Sequence, residues 1–213
     1  MTLAIGHFLT VWTILALNIM TPGPNVLNTI TTAMGSGRAA GLGSALGVGL
    51  GIGLWCLGMA LGMAALFSLF PMARTVLTVV AVAILCGFAL RYLRQSLAGF
   101  RDRRLGLPPG REGMSVASGF WRSLSVNALN PKALTTWLAI LTIFPVARAH
   151  AGDIAILCAG ACLLSLAIHS AYALAFSTRV AARAYLRAAP AINGFVAIFF
   201  LAFAGKLLAG LAR

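Results

Sequence analysis

The chain has 213 residues, 61% of them from the set AVILMFWYC, and its 23 glycines bring the apolar-or-glycine share to about 72%, against roughly half in a soluble domain. Charged residues make up only 9%, too few to cover a soluble surface, so a water-soluble globule is excluded and lipid is the solvent for most of the chain. The formal charge of +13 sets 16 Lys and Arg against Asp102, Glu112 and Asp153 alone; membrane orientation accounts for it better than a nucleic-acid partner does, because basic loops are retained on the cytoplasmic side.

At roughly 20 apolar residues per span, the length fits six transmembrane helices and leaves no room for a soluble domain. The first apolar run, Leu3 to Met20, has no basic region before it and no small-residue cleavage site after it, so it is expected to remain as a span. It enters Thr21-Pro22-Gly23-Pro24-Asn25 and resumes up to Met34. Two prolines in three residues must break the helix, since each lacks an N–H and restricts the residue before it.

The second run, Gly41 to Phe70, carries Gly43, Gly47 and Gly51 at four-residue spacing, with Gly58 and Gly62 beyond. That stripe predicts a close helix contact, within the protomer or at a homodimer seam. The third run starts at Met72, extends to about Leu93 and ends among arginines. Residues 98–113, with Gly106, Pro108, Pro109 and Gly110, read as a basic cytoplasmic linker. The fourth run, Met114 to Pro145, is interrupted at Asn130-Pro131-Lys132, and Ile154 to Phe176 and Ala191 to Ala209 complete six. Cys56, Cys86, Cys158 and Cys162 all lie inside apolar runs and read as small packers rather than as disulfide partners or metal ligands.

The two interrupted runs lie 131 − 22 = 109 residues apart, proline to proline, close to half the chain. This spacing predicts an internal repeat: residues 1–97 form one three-helix unit, 98–113 the linker, and 114–213 a second unit, inverted because three spans is an odd number. The expected fold is therefore an all-α membrane protein of six transmembrane helices in two inverted three-helix repeats, its first and fourth segments broken at proline motifs. Loop charges set the orientation. One side would hold ten basic residues, Arg38, Arg91, Arg94, Arg101, Arg103, Arg104, Arg111, Arg179, Arg183 and Arg187; the other would hold Arg74, Arg148, Lys206 and Arg213. The ten-charge side is expected to be cytoplasmic and both termini periplasmic.

A helix broken inside a membrane frees backbone groups that need protein or polar-cavity partners. A half-helix starting at Pro22, Gly23, Pro24 and Asn25 would present N–H groups and a positive dipole end to a carboxylate, and Asn130, Pro131 and Lys132 would repeat the arrangement with a cation. His169, in the middle of the fifth run, is a further candidate for substrate or a proton. Trp55 and Trp137 are open between cavity and interfacial roles. No cofactor and no metal site is expected.

These elements resemble the lysine exporter (LysE/RhtB) family of bacterial amino-acid effluxers. In that family a Pro-Gly-Pro-Asn element closes the first segment, a glycine-rich second helix follows, and Asn-Pro-Lys-Ala sits in the fourth. Here they read Pro22-Gly23-Pro24-Asn25, Gly35 to Gly53, and Asn130-Pro131-Lys132-Ala133. The resemblance implies a multi-pass transporter of the bacterial inner membrane, driven by an ion or proton gradient, that exports amino acids or similar small metabolites. The partners expected are thus a small amino-acid substrate, a coupling ion taken as a proton, the lipid bilayer and a second copy of the chain, with no nucleic acid.

A neutral substrate is expected over lysine or arginine, because no acidic residue falls within a segment interior to meet a second cation. The alternatives are a passive channel and, more remotely, a thiol–disulfide conduit, for which no cysteine lies beside the breaks, or an intramembrane enzyme, for which no nucleophile has a base fixed by spacing.

Overall fold

The computed structural model describes residues 3–70, 72–101 and 110–211, and every regular element among them is helical. In chain order these are α1 (Ile5–Met20), α2 (Pro24–Leu69), α3 (Ala73–Arg101), α4 (Val116–Ala128), α5 (Pro131–Ile143), a single 3₁₀ turn (Val146–Arg148), α6 (Ala151–Ala175) and α7 (Arg179–Leu211). Both proline motifs interrupt a helix where expected: α1 stops two residues before Pro22, and Pro131 opens α5. Helix α3 continues to Arg101, so the segment expected to be linker from residue 98 begins as helix. Residues 102–109 of that segment lie outside the described residues, as do Arg103, Arg104 and Arg213 of the charge tally.

Helix α2 is two arms rather than one rod. Gly37 has φ 85° and ψ 174°, a left-handed backbone that favours glycine, and the chain doubles back there. The Thr29 and Ser44 hydroxyls are 2.9 Å apart, whereas in an unbroken helix 15 residues would separate them by roughly 22 Å. A Cβ on Gly41 would likewise press on Ala33. Residues 24–36 therefore run toward the turn and residues 38–69 return beside them.

The returning arm is the centre of the molecule, packing on both α4 and α6, while α3 packs on α7. The glycine stripe makes the first of these contacts possible. Cβ atoms at Gly43 and Gly47 would run into the backbone carbonyls of Val116 and Phe120, and one at Gly51 into the Asn127 side chain. The contact expected from Gly43, Gly47 and Gly51 is thus made within the protomer, against α4. On the other flank, Gly49 and Gly53 abut Cys162 of α6, and Cys56 touches Cys158 with 3.2 Å between the sulfurs, all four cysteines being free thiols.

The bundle is apolar on its outer surface as well as in its core. Leu46, Leu50, Leu54, Leu57 and Leu61 form an exposed stripe on α2, at the three- and four-residue spacing of one helix face. Helix α4 exposes Val116 and Trp121 while burying Ser123 and Asn127 completely. Lipid rewards this arrangement, because apolar side chains lose nothing there and polar groups must find partners inside. Four stretches, Pro24–Met63 (which takes in both arms of α2), Thr75–Phe100, Ala151–Ala175 and Val180–Gly210, contain helix long and apolar enough to cross a membrane, and Ile5–Met20 is a shorter apolar helix.

Candidate functional site at the two helix breaks

The first break frees the carbonyls at the end of α1, and side chains from three other helices satisfy them. Lys132 Nζ, from α5, donates to Asn18 O at 3.0 Å, and the Tyr185 hydroxyl, from α7, donates to Met20 O at 3.0 Å. The Tyr172 hydroxyl of α6 lies 3.4 Å from the same Met20 carbonyl. An ammonium is well placed at the C-terminus of α1, where the helix dipole is negative. Lys132 Nζ also donates to Thr21 Oγ1 at 2.8 Å and sits 5.4 Å from the centre of the Tyr92 ring. The two breaks therefore meet: a side chain of the second lies inside the first.

The second break is closed differently. Asn130 caps α5, its Oδ1 accepting the Lys132 N–H at 3.0 Å and its carbonyl accepting the Ala133 N–H at 2.9 Å. Trp55 Nε1 donates to the freed Asn127 carbonyl at 3.1 Å. Helix α2 has no such cap, since Gly23 occupies the position with no side chain to offer. The N–H groups of Asn25 and Val26 then lack helical acceptors, the first helix bond being Leu27 N–H to Gly23 O. Of the two N-termini expected to face a carboxylate, only that of α2 is open. Replacing Asn130 with Ala should cost about 1 kcal/mol through loss of the cap. The thermal midpoint in detergent should fall accordingly, and Asn130→Ser, which keeps a capping oxygen, should recover most of it.

Between the breaks lies a partly open cavity. Leu15, Ile19, Ile52 and the wholly buried Trp137 supply its apolar wall. Its polar wall contains side-chain atoms without a protein partner. Asn25 Nδ2 donates to Asn127 Oδ1 at 2.8 Å, which leaves Asn25 Oδ1 as a buried free acceptor and Asn127 Nδ2 as a buried free donor. His169 Nδ1 lies 2.9 Å from the Ser165 carbonyl; a neutral imidazole donating there presents Nε2 as an acceptor, and Nε2 has no partner. Buried polar groups are nearly always paired, so three such atoms on one cavity wall are positioned for a ligand. Among the described wall residues there is no Asp or Glu.

Six of the residues expected at the site line this cavity: Gly23, Pro24, Asn25, Asn130, Lys132 and His169. Pro22 lies outside the wall, and Pro131 is placed as the first residue of α5. Trp137 is a cavity residue, and Trp55 serves the second break. The sequence reading missed Asn18, Thr21, Asn127 and Thr136, all on the wall. Asn18 Nδ2 donates to Thr136 Oγ1 at 2.6 Å and its Oδ1 accepts from the Tyr92 hydroxyl at 3.2 Å. A signal existed for two of them. Asn18 and Asn127 each stand four residues before a break proline, and the 109-residue offset also pairs Trp12 with Trp121 and Gly51 with Gly160. The last pairing persists in three dimensions, with Gly51 against Asn127 of α4 and Gly160 against Trp12 of α1.

No curated protein and no solved structure matches the chain. A family model does match, that of the LysE type translocators, over residues 16–210. The matched stretch takes in both breaks and every wall residue except Leu15. A membrane bundle whose broken helices enclose a partly polar cavity suits a protein that moves a solute rather than transforms it, and the chain belongs to the LysE type translocator family.

Proposed function

We propose that the protein is a secondary transporter that exports neutral amino acids, or small metabolites of similar chemistry, across the bacterial inner membrane. One observation carries the substrate class: free acceptors and free donors share one cavity wall. Asn25 Oδ1 and His169 Nε2 suit an ammonium, whereas Asn127 Nδ2 and the open N-terminus of α2 suit a carboxylate. A zwitterion satisfies both sets, and the apolar wall takes an uncharged side chain. A cationic side chain would meet Lys132 and no carboxylate, and desolvating an unpaired charge costs several kcal/mol.

In this reading α1 with residues 24–36 forms one crossing and α4 with α5 its inverted counterpart; residues 38–69, α3, α6 and α7 make six. The returning arm of α2 and α6 each pack against the broken segment of the other half, as an inverted repeat requires. Arg38, Arg91, Arg94 and Arg111 face the cytoplasm, and both termini are periplasmic. His169 and Lys132, the titratable groups in the described wall, are the candidates for proton coupling.

Counterflow in proteoliposomes tests the proposal. Vesicles loaded with excess unlabelled leucine or threonine should transiently accumulate the labelled amino acid, which a passive channel cannot do. Labelled lysine and arginine should accumulate more slowly. Faster counterflow of lysine than of leucine would overturn the substrate class, and uptake that never exceeds equilibrium would favour the channel.

A further inference from the structure

Beyond the cavity, the polar contact between residues 24–36 and α4 continues toward the turn at Gly37. Asn28 lies three residues from Asn25 on the same helix, and Ser123 lies four residues before Asn127. Asn28 Nδ2 donates to Ser123 Oγ at 2.6 Å, and Ser123 in turn contacts Ser44 Oγ at 2.6 Å. The three side chains are buried. This forms a second polar rung, one helical turn from the Asn25–Asn127 rung.

Two arginines close the seam. Arg111 Nη1 and Arg122 Nε both donate to the one Asn28 Oδ1. Neither guanidinium has a carboxylate partner among the described residues, and the remaining N–H groups of both forks make no other hydrogen bond there. Burial and the nearby Arg122 charge both hold the Arg111 pKa below its ordinary value, as expected of two like charges sharing only a neutral acceptor. Arg111 is held in place by its backbone: its N–H donates to Thr31 O at 3.0 Å, its carbonyl accepts from Ser36 Oγ, and Gly35 admits the chain where any Cβ would strike it.

We infer that Arg111 and Arg122 form a second binding site, for a small carboxylate, at the basic end of the Asn25–Asn127 seam. Two planar forks brought to one neutral oxygen leave most of their N–H groups free beside it, and a guanidinium fork is the group from which a carboxylate accepts hydrogen bonds in pairs. A carboxylate seated there completes the charge that Asn28 meets only in part. The role of the site rests on the transporter reading: a solute arriving from the basic face meets this pair first and then, one turn deeper, the free donors of the cavity. The binding chemistry itself does not depend on transport.

The test uses the full chain in nanodiscs of phosphatidylcholine, with isobutyrate as the probe and isobutyramide as its uncharged counterpart. Isobutyrate should raise the thermal midpoint in a saturable way, and isobutyramide should not. Arg111→Gln and Arg122→Gln should each weaken the half-saturating concentration by about tenfold or more, the loss expected for a hydrogen bond to a charged group. Arg94→Gln, which removes an exposed arginine of α3, should leave it unchanged. Because lysine keeps the charge and a donor for Asn28 Oδ1, Arg111→Lys should fold even where the Gln variant does not, and should bind more weakly than wild type for want of the fork.

No stabilisation of wild type, or equal stabilisation of wild type and both Gln variants, would overturn the site. If phosphatidylglycerol stabilises wild type but not the Gln variants while isobutyrate does nothing, the pair holds a lipid phosphate and the carboxylate assignment fails. Counterflow of leucine is scored separately. Isobutyrate binding with no counterflow would sink the transporter reading and leave this site standing, and the reverse result would remove this site alone.

Discussion

Gly47→Leu is expected to prevent formation of the bundle. Even the first side-chain carbon at residue 47 would overlap the Phe120 carbonyl, and the obstacle is helix backbone, which cannot rotate aside as a side chain does. Helix α4 would have to separate from α2, breaking the hydrogen bonds that Ser123 makes to Ser44 and Asn28. Overpacking alone costs typically 1–3 kcal/mol and occasionally more; with the lost polar contacts we expect about 3 kcal/mol or more, visible as a lost monodisperse peak or a collapsed thermal midpoint in detergent. Gly47→Ala should show a reduced form of the same defect. Gly58→Leu, on the same helix with nothing near its Cβ position, should be close to silent. A normal midpoint for Gly47→Leu would mean that α4 does not seat on this stripe.

Asn25→Ala should abolish counterflow while leaving the protein inserted and folded. The side chain contributes one hydrogen bond, to Asn127, and one free acceptor, so its loss costs stability only about 1 kcal/mol but removes a substrate contact and leaves Asn127 without its partner. Lys132→Ala should also abolish counterflow, through a different route. Lys132 is already engaged by Asn18, Thr21 and the Tyr92 ring, so its removal unseats the end of α1 and reshapes the cavity. The two variants should therefore separate in a melting experiment, Asn25→Ala near wild type and Lys132→Ala well below it. Wild-type counterflow in Asn25→Ala at normal expression would refute the site assignment.

The difference between these variants marks where sequence reasoning stops. Proline cannot donate an N–H and displaces the residue before it from the helix, so the breaks at Pro22 and Pro131 are consequences of covalent structure and were legible directly. The same holds for the lipid environment, for the glycine stripe as a contact face, and for His169 as a polar residue stranded in an apolar run. Asn18 and Asn127 were legible in principle, through the 109-residue offset that carries the prolines, although nothing local distinguishes them from other membrane asparagines.

By itself, then, the sequence determined the medium, the order of the helical segments, the places where they break and the family to which they belong, because each follows from composition or from the stereochemistry of single residues. Tertiary structure decided which partner each freed group finds. It placed Lys132 of the cavity wall on the carbonyl of Asn18, turned the glycine stripe to α4 rather than to a second protomer, and brought Arg111 and Arg122 to one oxygen of Asn28. A hydrogen bond needs a donor and an acceptor within about 3 Å. Between residues 83 to 114 positions apart, as Arg111 is from Asn28 and Lys132 from Asn18, that distance is set only by how the helices cross.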